Sequence, residues 1–110
     1  MNFQHKELAA GRWNKLSFAE QMANVGSEVE RTINWLSRNN KEYADKSFAR
    51  ALELLDLTIE HNRARPGLRE LVRLRAVLAD YFSGANFYKS TDDSLKKYFT
   101  CFFFAARRGK

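Results

Sequence analysis

The chain has almost none of the residues that interrupt or staple a small fold. Across 110 residues there are one proline, Pro66, one cysteine, Cys101, and five glycines. A single cysteine rules out an intrachain disulfide. With only two histidines beside it, His5 and His61, it cannot supply a structural zinc site. Neither a metal nor a cofactor is expected. Long hydrophobic runs are missing too. The longest, Cys101 to Ala106, is far too short to span a bilayer, and the opening MNFQHKELAA carries no apolar run of the signal-peptide kind. The expectation is a cytoplasmic protein with a reduced thiol and no membrane partner.

Catalytic motifs are also absent. There is no glycine-rich phosphate loop, no G-x-S-x-G elbow and no Glu-x-x-His pair. His61 has no neighbouring Cys or Ser to activate, and Asp92 and Asp93 read as first-turn partners of a helix dipole. Cys101 stands among phenylalanines and reads as an inert buried thiol. Small bundle ribonucleases of the HEPN type carry an Arg followed four to six residues later by His. Neither histidine here has an Arg at that upstream spacing. With no base and nucleophile to pair, no enzyme is expected.

What is present is helical. Hydrophobic residues make up 45% of the chain and nine are Phe, so an aromatic-rich core can form. The scarcity of breakers calls for long elements, and apolar residues recur at steps of three and four. The pattern predicts four helices, at about 18–38, 41–61, 66–82 and 91–108. In the first, Phe18, Met22, Val25, Val29, Ile33 and Leu36 form the stripe. Ser17 and Glu20 make a capping box at its start. Gly26, beside that stripe, predicts close approach of another backbone.

The second helix presents Ala44, Phe48, Ala51, Leu52, Leu55 and Ile59, widened by Leu54 and Leu57. Pro66 suits the first position of the third, where Leu68, Leu71, Val72, Leu78 and Phe82 face inward and Gly84 ends it. Ser90 and Asp93 predict a second capping box. The fourth helix turns Leu95, Tyr98, Phe99, Phe102 and Ala106 inward. Cys101, Phe103 and Phe104 carry its apolar surface almost all the way round. A helix apolar on most sides is central or shared, so a homo-oligomer is expected. Short linkers make the fold one domain over 1–110, an all-α, up-down four-helix bundle. Residues 1–16 form a short N-terminal arm or helix, with Phe3, Leu8 and Trp13 packing on the bundle.

The net charge is +6 and the pI about 9.7, which favours an anionic partner. Two basic features stand out. Arg65, Arg69 and Arg73 repeat every four residues and so share one helix face, where like charges repel mildly. They serve a phosphate backbone, or they pair across the hairpin with Glu53, Asp56 and Glu60. In the second case Glu60 meets Arg69 and Asp56 meets Arg73. The other feature is the acid-free C-terminal stretch with Lys96, Lys97, Arg107, Arg108 and Lys110. Helix-dipole compensation explains its end. A basic patch beside aromatics, suited to RNA or single-stranded DNA, explains the whole. Phe87 and Tyr88, between the last two helices, either cap the core or anchor a partner.

Three stretches carry a resemblance: Leu16 to Val29, Ala49 to Thr58 and Leu68 to Arg75. They look like a family of small bacterial four-helix-bundle proteins, and that resemblance brings no activity with it. In size, basicity and layout the chain is also similar to bundles such as the accessory protein of diversity-generating retroelements. This likeness implies a basic oligomer that works with nucleic acid and a reverse transcriptase. The function expected is a non-catalytic accessory module that binds RNA, DNA or a nucleic-acid enzyme through the basic residues named above. The alternative is an oligomeric scaffold without nucleic acid, with Phe102, Phe103, Phe104, Phe87 and Tyr88 at its interface.

Overall fold

A computed structural model describes residues 11–108. One turn of 3-10 helix, Trp13–Lys15, leads into α1, Phe18–Ser37; α2 is Lys41–His61, α3 is Leu68–Ser83 and α4 is Asp92–Arg108. The described residues contain no strand. The bundle is built on α1, which packs against α2 on one side and α4 on the other, while α3 lies on α2. No helix among the described residues is long and apolar enough to cross a membrane. Phe3 and Leu8 of the expected arm lie outside the described residues.

Local chemistry marks the helix starts. Ser17 Oγ accepts from the Glu20 N–H at 3.1 Å, and the Ser17 N–H donates back to Glu20 Oε1 at 2.9 Å. This reciprocal pair satisfies two backbone donors that the first turn leaves open. At α4 the expected Ser90–Asp93 box is replaced by one a residue later. Ser94 N–H donates to Thr91 Oγ1 at 3.0 Å and Thr91 N–H to Ser94 Oγ at 2.9 Å. Ser90 is already engaged: its N–H donates to Asn86 Oδ1, and Asn86 Nδ2 donates to its carbonyl.

The third helix begins at Leu68, and Pro66 stays outside it. The cause is Gly67, whose φ of +97° belongs to the left-handed region and breaks any helical path through Pro66. Its carbonyl then accepts the first N–H groups of the helix, from Glu70 at 3.0 Å and Leu71 at 3.3 Å.

Met22, Val25 and Val29 of α1, Leu55 of α2, Leu78 of α3 and Phe99 of α4 are fully buried. The buried face of α2 includes Ala44, Ser47, Ala51 and Thr58, short side chains suited to a close antiparallel pair with α1. Phe48, Leu52 and Ile59 are only half-buried, since Leu54 and Leu57 turn inward instead. On α3 the inward residues are Leu71, Leu74 and Leu78, which leaves Val72 exposed. Gly26 answers a ring, where a backbone was expected. A Cβ there would stand 2.8 Å from Phe99 Cγ and 2.9 Å from Phe103 Cζ.

A polar knot closes the end of the bundle where the chain enters. The Gln21 side chain, itself buried, donates to the Trp13 carbonyl at 3.0 Å and accepts from Asn62 Nδ2 at 2.9 Å. It ties the 3-10 turn, α1 and the end of α2 together. Periodicity gives no sign of it, because Gln21 is a polar residue on a buried face.

Candidate nucleic-acid interface

Charge is divided sharply along the chain. The first 62 residues carry eight Lys and Arg against nine Asp and Glu. From Arg63 onward there are eleven against four, a net of +7 that exceeds the whole-chain value. The fold turns this division in sequence into one in space. The basic half consists of α3, its flanking loops and α4, and these two helices face each other across a groove. A cavity of about 400 Å³ opens between them, walled by Arg73, Leu74, Val77, Leu95 and Tyr98, with Glu70, Ser90 and Ser94 at its polar edges. A smaller recess of about 180 Å³ adjoins it between Phe18, Arg65, Leu71, Tyr98 and Phe102.

The α3 arginines do not pair with α2 as the hairpin register predicts. Asp56 meets Arg75, not Arg73, with Nε to Oδ1 at 2.7 Å and Nη2 to Oδ2 at 3.4 Å. Glu60 pairs with Arg63 at 3.6 Å, and not with Arg69. The shift matches the late start of α3 that Gly67 imposes. Arg75 is thereby held by Asp56, which keeps its guanidinium charged and raises its pKa. Arg65, Arg69 and Arg73 all remain exposed. The Arg65 guanidinium lies 4.2 Å from the Phe18 ring centre and that of Arg73 5.9 Å from Tyr88. Both are cations held over ring faces.

On α4 the basic residues are brought together only in part. Lys97, Arg107 and Arg108 are exposed and Lys96 is half-buried. Lys97, Cys101, Phe104 and Arg108 follow one another at steps of four, three and four, so they form one outward stripe. Phe104 is 58% exposed and its ring lies 5.5 Å from the Arg107 guanidinium. Lys110 lies outside the described residues.

The expected continuous surface of Phe102, Phe103 and Phe104 is divided. Phe102 and Phe103 pack against the core, Phe102 edge-on to Phe18 at 5.9 Å, and Phe104 alone points outward. Successive helical residues differ by about 100° in direction, so three in a row cannot share one face. The same geometry corrects Cys101, which is exposed, not buried. Phe87 and Tyr88 do not cap the core either; both are exposed.

Tyr98 sits where the groove and the recess meet and was expected to face inward; it is partly exposed. Burial of the rest of its ring pushes its phenol pKa up, and the nearby Glu70 carboxylate adds to the effect. The phenol is therefore neutral at physiological pH. Tyr81, near the end of α3, donates its hydroxyl to Asp92 at the start of α4. Among the described residues no group of three His, Cys, Asp or Glu side chains is placed to hold a metal ion. Comparison with protein-family models, with curated proteins and with solved structures gives no match.

Proposed function

We propose that this protein is a non-catalytic module that binds single-stranded nucleic acid through its α3–α4 side. One observation carries the reading. The net positive charge lies on that side, and its cations alternate with exposed or half-exposed rings: Arg65 by Phe18, Arg73 by Tyr88, Tyr98 in the groove, Arg107 by Phe104. Alternation of this kind suits a single strand, whose phosphates take the cations while its unpaired bases stack on rings. Each such stack is worth about 1–3 kcal/mol and tolerates any base. Duplex DNA hides its base faces and gains only the phosphate part. The reading places the protein in the cytoplasm, alone on RNA or DNA or as accessory to a nucleic-acid enzyme.

Fluorescence anisotropy with labelled single-stranded RNA and DNA, set against a duplex of the same sequence, tests it. Single strands should bind more tightly than the duplex, and Tyr98→Ala should weaken the single strands selectively. Absence of binding to any of them at low salt would sink the reading. The second reading, an oligomeric scaffold that leaves nucleic acid alone, draws on the exposed rings of Phe104 and Phe87.

A further inference from the structure

Exposed apolar side chains gather at one end of the bundle. Of seven large hydrophobic residues exposed among those described, three lie there, Leu36, Tyr43 and Phe87, while the neighbouring Tyr88 turns toward Arg73 of α3. The fold brings together the last turn of α1, the first of α2 and the loop between α3 and α4. Trp35 and Tyr43 stack across the first junction at 4.9 Å.

Phe87 is the extreme case, at 85% exposed. Its position is built by the loop itself. The Asp80 carboxylate accepts from the backbone N–H of Phe87 at 2.8 Å and of Tyr88 at 3.0 Å. Asn86, with φ of +49°, holds Ser90 by both ends of its amide. These bonds hold the backbone and direct the ring into solvent. Burying a side chain of this size is worth about 1.5–3 kcal/mol, and the chain leaves that unused.

Beside the loop lies a cavity of about 500 Å³ between the ends of α1 and α3, with Ile33, Leu36, Tyr81 and Phe82 on one wall and Asn86 and Asp92 among its polar residues. The chain's own Phe87 does not line it. A protruding ring and a cavity with one apolar wall on the same end make that end self-complementary, which is what a two-fold, isologous interface requires. Charge points to the same occupant. Arg38, Lys41, Lys46 and Lys89 stand there against Glu42, Asp45, Asp80, Asp92 and Asp93, so this end is close to neutral. A second copy can therefore approach this end without the repulsion that two strongly basic α3–α4 sides would meet.

We propose that the protein forms an end-to-end homodimer in which Phe87 of each protomer enters the cavity beside Leu36 of the other. The basic α3–α4 sides then stay open, so the proposal stands whether or not they bind nucleic acid.

Sedimentation velocity over a micromolar concentration series tests it. The wild type should dimerise. Phe87→Ala should weaken the dimer roughly a thousand-fold, because a two-fold dimer loses two interface anchors of about 2 kcal/mol each. Its Tm at low protein concentration should not change, because the ring contributes little to the monomer core. Phe104→Ala should leave the dimer intact. A wild type that stays monomeric throughout, a dimer indifferent to Phe87→Ala, or one dissociated by Phe104→Ala would each overturn the proposal.

Discussion

Gly26 shows how much of this fold rests on single atoms. The Phe99 ring occupies the space that a Cβ would need, with two ring atoms at 2.8 Å. Those atoms belong to a fully buried side chain, so they cannot swing aside. Overpacking of this kind costs about 1–3 kcal/mol, while the helix would gain about 1 kcal/mol from alanine. We expect Gly26→Ala to be a net loss of about 1 kcal/mol, several degrees in Tm by calorimetry. The need for a small residue was legible in the sequence. That a ring answers it was not, because this depends on how α4 is rotated about its axis. The same rotation explains why Cys101 faces out and Phe103 faces in.

Tyr81 gives a second local test. Partial burial, then its hydrogen bond to Asp92, push its phenol up to about 12 from the ordinary 10.0. A raised folded-state pKa means that the contribution is complete below pH 10 and is lost as pH climbs toward 12. Absorbance titration should find a tyrosine still protonated at about pH 11, and Tyr81→Phe should take one tyrosine out of that late step. A full tyrosine count by pH 11 in the wild type would contradict this.

Helix positions followed from periodicity because apolar stripes and caps are local signals. The register between helices did not, since it depends on a turn. Gly67 starts α3 two residues after Pro66, and Asp56 consequently meets Arg75 in place of Arg73. The two arginines should now behave oppositely. Arg75→Ala should lower stability by up to about 1 kcal/mol, as loss of a partly buried ion pair does, and should affect nucleic-acid binding little. Arg73→Ala should leave Tm unchanged and weaken binding. Thermal melts and anisotropy on the two variants separate the roles; equal behaviour in both assays would refute the assignment. The loop before α4 was misread for a similar reason. Ser90 has the right spacing for a cap, but Asn86 takes it first.

Taken whole, the molecule is an acidic pair, α1 and α2, carrying a basic pair, α3 and α4, with the loops that flank them. The fold class was open to a reading of helical patterns and short linkers. The candidate site was only half so. Its residue types could be named, but their grouping depends on which helices flank the groove, and α4 reaches its place by packing on α1. Self-association through the bundle end would set two such basic sides at a fixed distance and let one strand engage both.

The salt dependence of single-strand binding weighs the whole reading. Between about 50 and 200 mM salt, the logarithm of the association constant should fall linearly with the logarithm of salt, by about 0.7 for each phosphate neutralised. Replacing Arg65, Arg69 and Arg73 together by alanine should reduce that slope by about 2. Binding that is absent at low salt, or a slope unmoved by the triple substitution, would contradict the account.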